Sequence, residues 1–268
     1  MSLFEPWLLK WNLAVDGAPF ASLNGHLLPV RANGQPALIK LSHEPEEQAG
    51  SLLMAWWRGE GAAPVLAHEG EALLMARATG TRSLAEMARG DQDDTATRIL
   101  CHVVQRLHAP RGRPPPAVVP LSRWFEPLWA SARARTGVFD LAAASARALL
   151  ESPRDVAVLH GDIHHGNVLD FGESGWLAID PKGLHGERVF DYANIVCNPD
   201  PDSASRPGRF ERRIEIIAST AGIDRRRLLH WVLAWAGLSA TWKLEDRLPA
   251  EGALAIAGLA AAALGRAA

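Results

Sequence analysis

The stretch VLHGDIHHGNVL, residues Val158–Leu169, decides how the rest of this chain is interpreted. It sets three histidines, an aspartate and an asparagine between two short apolar runs. Three interpretations fit such a segment: a metal cluster, a phosphoryl-transfer loop, or an ordinary polar loop. The surrounding sequence has to distinguish between them.

The spacing of the polar residues in this stretch favours a phosphoryl-transfer loop. In the protein-kinase signature, His-x-Asp is followed by an asparagine five residues after the aspartate. His160, Asp162 and Asn167 fall into that frame. Asp162 is predicted to align the acceptor hydroxyl, which is the task of the carboxylate in phosphoryl transfer. Asn167 is predicted to bind Mg²⁺ through its amide oxygen, a hard ligand.

A second metal-binding carboxylate is expected on the next strand, and the segment WLAIDPKG supplies Asp180. Asp180 ends an apolar run, and Pro181 stops the strand behind it. Taken alone, Asp180 could be an ordinary aspartate in a turn. The loop, the strand and the aspartate together favour the metal-binding interpretation.

A strand lysine for the α- and β-phosphates is expected in the first part of the chain. PALIKLS, residues 36–42, matches the Val-Ala-Ile-Lys type and places Lys40 on the third predicted strand. The alternative is a surface lysine on a strand edge. Glu44, Glu46 and Glu47 are all near enough to orient it, and Glu47 is preferred because it lies furthest into the following helix.

Composition bounds the possible functions. The chain has 268 residues, of which 48% are apolar and 22% charged, with a formal net charge of −2. This composition is globular, and the charge argues against nucleic acid as a partner while permitting a cationic ligand. Cys101 and Cys197 are too far apart in sequence to suggest a metal motif or a disulfide framework.

Neither end of the sequence suggests a membrane protein. Glu5, Pro6 and Lys10 interrupt the apolar pattern at the start, so no signal peptide is expected. The apolar run ALAIAGLAAAALG near the end is shorter than a bilayer span and is predicted to be a buried helix. We therefore predict a cytoplasmic protein with no membrane partner, acting as a monomer.

Local patterns predict an α+β fold with two lobes. Residues 1–80 contain a hairpin signal at Asn33-Gly34, a second strand pair about residues 68–71, and one main helix over residues 45–57. Residues 81–268 are mostly helical. We predict a nucleotide-binding lobe over residues 1–80 and a catalytic and acceptor-binding lobe over residues 81–268, with a ligand cleft between them.

With these residues in view, the chain resembles the aminoglycoside phosphotransferase family, in the branch of streptomycin 6-kinases and related aminoglycoside/hydroxyurea kinases. The motifs that carry the resemblance reach from Lys40 to Asp246: LHGDIHHGNVL, WLAIDPKGLHGE, FDYANI, WWRGEGAAPVL, LLMARA and AWAGLSATWKLED. The resemblance implies a protein-kinase-like bilobal fold, ATP (or GTP) as donor with Mg²⁺, and an aminoglycoside-like acceptor. Streptomycin at its 6-hydroxyl is the preferred substrate, and another sugar, amino alcohol or metabolite is the alternative.

The resemblance also implies roles for individual residues. Asp162 would be the catalytic aspartate, Asn167 and Asp180 the metal ligands, and Lys40 the partner of the phosphates and of Glu47. The segment LLMARATG resembles the hinge between the lobes. The hinge residues would contact the base through the Met75 side chain and the backbones of Ala76 and Ala78. Met75 could equally be a core residue.

The phosphate-covering turn departs from the kinase pattern. No Gly-x-Gly-x-x-Gly motif is present, and the turn ASLNGHL offers only Ser22, Asn24 and Gly25 to cover the phosphates.

Two further residues are expected to support the site. Asp191 would brace the catalytic loop by accepting backbone N–H groups, and His160 would pin the Asp180 segment.

The remaining histidines of the loop leave two interpretations. His160, Asp162 and His164 could bind zinc in a metallohydrolase, but no fourth ligand is evident, and His102 and His108 lie on a helix that nothing ties to the loop. We instead predict that His164 lies near the transferred phosphoryl group and neutralises its charge in the positive form. His165 would shape the loop.

A helix near the end carries the candidate acceptor residues. An apolar stripe at helical spacing favours core packing over a sugar-stacking surface; its members are Leu228, Trp231, Trp235, Leu238 and Trp242. An acidic acceptor pocket is predicted next to Trp242, from Glu245 and Asp246 together with Asp200 and Asp202. For each of these acids, the alternative is a solvated surface residue.

For the protein as a whole, the alternative function of a different class is a nucleotide-binding regulator without catalysis.

Overall fold

An antiparallel six-stranded sheet forms the first part of the molecule. The computed structural model describes residues 3–22 and 24–265. The sheet order is β1-β3-β4-β6-β5, with β2 also paired to β3. The strands are β1 (Ala14–Val15), β2 (Phe20–Ser22), β3 (Gly25–Ala32), β4 (Gln35–Leu41), β5 (Val65–Glu69) and β6 (Ala72–Ala76).

The hairpin between β3 and β4 forms at the predicted turn. Asn33 and Gly34 both have positive φ angles, 49° and 78°, as a two-residue type I′ turn requires. The strand that carries Lys40 is the fourth in chain order and not the third, because the two-residue β1 precedes the others. Such a short strand has too few residues to show a periodic pattern.

Alternation along β4 separates the two faces of the sheet. Ile39 is fully buried on one face, in an apolar cluster with Phe4 and Val30. Lys40 points to the opposite face, because successive strand side chains alternate. Helix α1 (Glu5–Lys10) covers the Ile39 face, and the sequence pattern did not predict it.

Helix α2 (Pro45–Trp57) is the main helix of the sheet lobe and has the predicted bounds. Pro45 occupies its first turn, where a missing N–H costs nothing. Arg58 ends the helix in the left-handed conformation, with φ of 52°. Its apolar side buries Leu53 and Trp57 and presents Glu47 toward the sheet face that carries Lys40.

The rest of the chain is mostly helical. Its helices are α3 (Leu84–Arg89), α4 (Asp93–Leu107), α5 (Leu121–Trp124), α6 (Glu126–Ala134), α7 (Val138–Glu151), α8 (Phe190–Cys197), α9 (Pro201–Ala204), α10 (Arg209–Ala221), α11 (Arg225–Glu245) and α12 (Glu251–Gly265). Helix α11 is central and contacts α7, α8 and α12. Leu228, Trp231, Trp235 and Leu238 are buried along it, so core packing is confirmed for four of the five stripe residues. Within the described ranges, no helix is both long and apolar enough to cross a bilayer.

Short strands position the loop that opened the sequence analysis. They are β7 (Val119–Pro120), β8 (Val156–Leu159), β9 (Val168–Asp170), β10 (Trp176–Ala178) and β11 (Leu184–Glu187). Strand β8 leads into the loop, and β9 and β10 form an antiparallel hairpin in which Val168 pairs with Ala178. Asn167 precedes β9 and Asp180 follows β10. The hairpin therefore brings these two residues to the same open end.

The sheet and the helical part are joined at a closely packed junction. The N–H of Gly80 donates to the Asp170 carbonyl at 2.9 Å, and the Arg82 guanidinium bonds both Asp170 carboxylate oxygens at 2.7 and 3.1 Å. A Cβ atom at Gly80 would lie 2.1 Å from the Asp170 carboxyl carbon, so only glycine fits. The proposed lobe boundary at residue 80 falls between the end of the sheet at Ala76 and α3.

Candidate active site

The backbone of the loop that contains Asp162 is held by a buried carboxylate. Asp191, at the start of α8, accepts the backbone N–H of His160 at 2.9 Å and of Gly161 at 2.8 Å. His108 Nε2 bonds the same carboxylate at 2.8 Å. The expectation that nothing ties His108 to the loop is therefore wrong, because Asp191 links the end of α4 to it. Gly161 has φ of 89°, and a Cβ there would meet Leu184 at 2.8 Å.

The carboxylate of Asp162 is held by two amides and stays accessible. Asn194 Nδ2 donates to Oδ1 at 2.9 Å, and Asn167 Nδ2 donates to Oδ2 at 3.1 Å. Its side chain is 32% exposed. Burial alone would raise the pKa of Asp162, but the neighbouring His164, His160 and Lys182 side chains outweigh it and lower the pKa. Asp162 is thus a fixed, ionised hydrogen-bond acceptor at neutral pH.

His160 is a buried connector between the loop and the Asp180 segment. Its Nδ1 accepts the Asp162 N–H at 3.2 Å, so Nε2 carries the proton and donates to the Ile179 carbonyl at 2.8 Å. The ring stacks on Trp57 with 6.1 Å between centroids. Burial lowers the pKa of His160, which favours this neutral form. This hydrogen bond to the Ile179 carbonyl connects His160 to the segment that carries Asp180, as expected.

The other two histidines of the loop, His164 and His165, differ in the partners of their ring nitrogens. His164 Nδ1 accepts the Gly166 N–H at 3.0 Å, which leaves Nε2–H facing Asp162 Oδ2 at 3.7 Å. His164 therefore lies beside Asp162, and its role next to the transferred phosphoryl group stays a prediction. His165 is buried, both ring nitrogens lack a hydrogen-bond partner in the described structure, and burial lowers its pKa to about 3. Among the residues that the structure describes, no three histidine, cysteine or acidic side chains are grouped so that they could hold a metal ion without further ligands.

Lys40 connects three elements at the junction of the lobes. Its ammonium bonds a carboxylate oxygen of Glu47 on α2 and one of Asp180 after β10. Asn24 Nδ2 and Lys182 Nζ both bond the second oxygen of Glu47, at 3.2 and 3.1 Å. Burial raises the pKa of Glu47, but the Lys40 hydrogen bond and charge and the Lys182 charge bring it down to about 2. Glu47 is therefore an anion shared by two lysines.

Asn167 and Asp180 have the chemistry that Mg²⁺ requires. The Asn167 NH₂ group donates to the Asp162 carbonyl and carboxylate, at 3.0 and 3.1 Å, which orients the amide so that Oδ1 is the atom that would bind a metal ion. Asp180 adopts φ of 62°, a left-handed conformation that is uncommon for aspartate. Two hard oxygen donors suit Mg²⁺, which is often bound by one or two protein groups plus substrate phosphates.

A cavity of about 180 Å³ lies next to the Lys40 cluster, and Lys40, Glu47, Met75 and Asp180 all contribute to its wall. Met75 is also buried in the core, which confirms core packing, and its contact with a nucleotide base stays a prediction. The Ala76 N–H donates to the Pro64 carbonyl at 2.8 Å. Any contact of Ala76 with a base would therefore use its carbonyl group, and the half-buried Ala78 follows on the same segment.

The phosphate-covering turn is arranged differently from the prediction. Ser22 lines the cavity together with Phe20, whereas Asn24 and Gly25 are not among its lining residues in the described structure. The Asn24 amide bonds Glu47, and Gly25 packs so closely on β4 that a Cβ would lie 2.7 Å from the Leu41 carbonyl. Asn24 and Gly25 shape the turn here.

A second, larger cavity of about 770 Å³ opens on the other side of the loop, and Asp162 is in its wall. Trp124 and Trp242 meet edge to face there, with 5.5 Å between ring centroids, and Trp235 adds a third indole. The charged lining residues are five carboxylates and two cations: Glu46, Glu126, Asp162, Glu245, Asp246, Arg123 and Lys182. The structure thus places Trp242, Glu245 and Asp246 beside Asp162.

The other two predicted acceptor acids lie outside this cavity. Asp200 accepts the Ser203 N–H at 2.8 Å as the cap of α9 and pairs with Arg89 at 2.8 Å. Asp202 is exposed in the first turn of α9. Among the described residues neither lines the cavity that contains Asp162. The prediction that Asp200 and Asp202 join the acceptor pocket is corrected, because capping and pairing with Arg89 hold Asp200 elsewhere.

Sequence reasoning missed several residues of the site. Asn194 could have been found, because it lies three positions after Asp191 on the same helix and so on the same face. Lys182 lies two positions after Asp180, in the motif WLAIDPKGLHGE that carries part of the family resemblance, and the sequence alone indicated no role for it. Trp124 and Glu126 carried no local signal, because only the packing of α6 against α11 and the contact of Trp124 with Trp242 bring them to the cavity.

The chain is similar to known proteins over most of its length. The family model described as aminoglycoside/hydroxyurea antibiotic resistance kinase matches residues 10–247. A streptomycin 3''-kinase of Klebsiella pneumoniae is 50% identical over 242 residues, covering 88% of this chain and 91% of that protein. A streptomycin 6-kinase of Streptomyces glaucescens is 31% identical, covering 91% and 83%. The crystal structure of an aminoglycoside phosphotransferase with ADP and hygromycin B has a TM-score of 0.66 at 12% identity, covering 98% of each chain.

Proposed function

This chain belongs to the aminoglycoside/hydroxyurea antibiotic resistance kinase family, and we propose that its acceptor is streptomycin or a closely similar cationic aminoglycoside. The chain is an ATP-dependent phosphotransferase with a hydroxyl acceptor and a protein-kinase-like bilobal fold, as its relatives indicate. The proposals concern the acceptor, the position on it that is phosphorylated, the metal and the roles of the site residues.

One observation carries the choice of acceptor. The Asp162 carboxylate opens into a cavity that holds three indoles and an excess of carboxylates over cations. Guanidinium and ammonium groups bind carboxylates through charge-assisted hydrogen bonds and bind indole faces through cation–π contacts. A polycationic, hydroxyl-rich molecule matches both features, and a neutral sugar would leave the carboxylates without partners.

The reaction that this arrangement supports is an in-line phosphoryl transfer. Asp162 accepts a hydrogen bond from the acceptor hydroxyl, whose oxygen forms a bond to the γ-phosphorus of ATP. The bond from the γ-phosphorus to the bridging oxygen breaks, and its electron pair leaves with ADP. The hydroxyl proton passes to Asp162 and then to solvent.

Residues on the nucleotide side of the cleft hold the donor. Lys40 binds the α- and β-phosphates and is oriented by Glu47. Asn167 and Asp180 would hold Mg²⁺, which neutralises charge on the phosphates when it is bound. Asn194 and Asn167 keep the Asp162 carboxylate in place throughout, because both amides donate to it.

The relatives bear on which hydroxyl is phosphorylated. The resemblance to the 6-kinase branch implies the 6-hydroxyl of streptomycin, but the relative that is 50% identical is named a 3''-kinase, and the 6-kinase relative is 31% identical. We therefore propose the 3''-hydroxyl as the preferred position, with the 6-hydroxyl as the alternative. Phosphorylation at the 3''-hydroxyl and at the 6-hydroxyl would require different orientations of streptomycin within the same cavity.

The proposal is tested by acceptor-dependent ADP and GDP release across a panel of compounds. The panel contains streptomycin, other aminoglycosides, hydroxyurea, choline and a simple sugar, each with ATP or GTP and Mg²⁺. We expect streptomycin to give the highest kcat/KM, and NMR of the product to place the phosphate on the 3'' oxygen. A phosphate at the 6 oxygen would overturn the position, and preference for a neutral sugar would overturn the acceptor class.

A further inference from the structure

Lys182 is a second lysine at the centre of the site, on the opposite side of Glu47 from Lys40. Its ammonium lies 3.1 Å from Glu46 and 3.1 Å from Glu47, and its backbone N–H donates to the His160 carbonyl at 2.7 Å. It lines the acceptor cavity together with Gly161 and Asp162. Lys182 is therefore attached to α2, to the catalytic loop and to the Asp180 segment at once.

The presence of a lysine in this cavity requires an explanation. The wall contains five carboxylates, and a cationic acceptor would be repelled by an ammonium placed beside Asp162. A negatively charged group must nevertheless enter the same space, because the transferred phosphoryl group moves toward the acceptor next to Asp162. A fixed cation there offsets the repulsion between that group and the carboxylates.

Hydrogen-bond counting shows that Lys182 has a donor to spare. An ammonium has three N–H donors, and within the described structure Glu46 and Glu47 accept two of them. The side chain is 15% exposed, so the ammonium is held by its partners and still reaches the cavity. The remaining donor is available to an oxygen of a ligand.

Bracing of α2 does not account for Lys182. Glu47 is already bonded by Lys40 and Asn24. Helix α2 also touches the Asp180 segment directly, because a Cβ at Gly50 would lie 2.2 Å from the Pro181 carbonyl oxygen. Helix α2 therefore has several contacts at this junction that do not involve Lys182.

We propose that Lys182 is a second phosphate-binding residue, which contacts the transferred phosphoryl group from the acceptor side while Lys40 holds the α- and β-phosphates. This inference rests on the proposed phosphotransfer at Asp162. Lys182 forms no covalent bond and stays protonated. It donates a hydrogen bond to a γ-phosphoryl oxygen while the bond to ADP breaks and the bond to the acceptor oxygen forms.

The test uses Lys182→Met, Lys182→Gln and Lys182→Arg in the full-length protein, with Lys10→Met as the matched control at an exposed lysine far from the cleft. We expect kcat with streptomycin to fall roughly 100-fold in the neutral variants. The dissociation constant for ATP should stay within about threefold of the wild-type value, because Lys40 remains. The arginine variant should recover part of kcat, since it restores the charge.

Three results would overturn the role of Lys182. The first is a kcat within twofold of wild type in a folded neutral variant. The second is a loss confined to ATP affinity, as a brace of Glu47 would give. The third is an arginine variant no better than the glutamine variant. If the wild type fails to phosphorylate any aminoglycoside, the proposed acceptor is wrong. The role of Lys182 is then tested by comparing the rate of ATP hydrolysis by water in the same variants and the wild type.

Discussion

Lys40 and Asp180, which lie 140 positions apart in the chain, form an ion pair across the junction between the sheet and the helical lobe. One residue is placed by the alternation of β4 and the other by the hairpin of β9 and β10. Glu47 completes the group from α2. The site is therefore built where three separately folded elements meet, so perturbing any one of them should affect nucleotide binding.

The first prediction concerns the ion-paired residues Lys40, Glu47 and Asp180. Lys40→Met should weaken ATP binding by roughly 10- to 100-fold, because hydrogen bonds to charged groups contribute about 1.5–3 kcal/mol. Glu47→Gln should cause a smaller loss, and the double variant should be little worse than Lys40→Met alone. Calorimetric titration with ATP and Mg²⁺ measures all three, and fully additive losses would show that Glu47 does not act through Lys40.

Asn194 provides a test of how Asp162 is held. Asn194 is buried and its amide donates to Oδ1 of Asp162 at 2.9 Å. Asn194→Ala should lower kcat about 10-fold, since loss of a hydrogen bond to a charged group costs about 1.5 kcal/mol or more. KM for ATP should remain unchanged. An increase in KM for ATP without a change in kcat would contradict the positioning role.

Gly50 tests whether the contact of α2 with the Asp180 segment matters. A Cβ at this position would lie 2.2 Å from the Pro181 carbonyl oxygen, so Gly50→Ala must push the helix away from Asp180. We expect it to lower the free energy of unfolding by about 1–3 kcal/mol, as overpacking does, and to reduce kcat/KM for ATP.

The control for Gly50 is Gly258→Ala, also inside a helix. Apart from the adjoining residues and the backbone of the surrounding helical turns, no atom of the described residues lies within 4 Å of a Cβ there. That change should raise the free energy of unfolding by about 0.5–1 kcal/mol, because alanine is the better helix former. Urea unfolding compares the two variants, and equal effects would show that the Pro181 contact has no consequence.

The junction between the lobes should show a defined pH dependence. The hydrogen bonds from Arg82 outweigh burial and bring the pKa of Asp170 from 3.8 to about 2. A carboxyl with a pKa lowered by folding stabilises the protein above its unfolded pKa, and this contribution disappears as pH falls through the folded value. The difference in unfolding free energy between wild type and Asp170→Asn should be constant above about pH 5 and shrink between pH 4 and pH 2. Urea unfolding at several pH values measures it, and a difference that grows toward acid pH would contradict the ion pair.

Local patterns in the sequence predicted the parts of this structure that depend on local physics. The Asn33-Gly34 turn, the bounds of α2 and the loop from His160 to Asn167 each follow from neighbouring residues. Alternation along β4 also directs Lys40 to the face opposite Ile39.

The missed features depend on tertiary packing. Helix α1 is six residues long, too short to show a periodic pattern. Trp124 and Glu126 reach the cavity that contains Asp162 only because α6 packs against α11 and Trp124 meets Trp242. Asp200 was assigned to that cavity because it is acidic and follows α8, but its side chain caps α9 instead. Which acids meet in space could not be derived from their order in the chain.

The most direct test of the account is the turnover of Asp162→Ala. Acceptor-dependent ADP release with streptomycin should fall by at least about 100-fold, the contribution expected of a positioned proton acceptor. Binding of ATP and Mg²⁺, measured by calorimetry on the same preparation, should match the wild type, because Lys40, Asn167 and Asp180 remain. A variant that binds ATP normally and keeps most of its acceptor-dependent activity would show that Asp162 does not receive the acceptor.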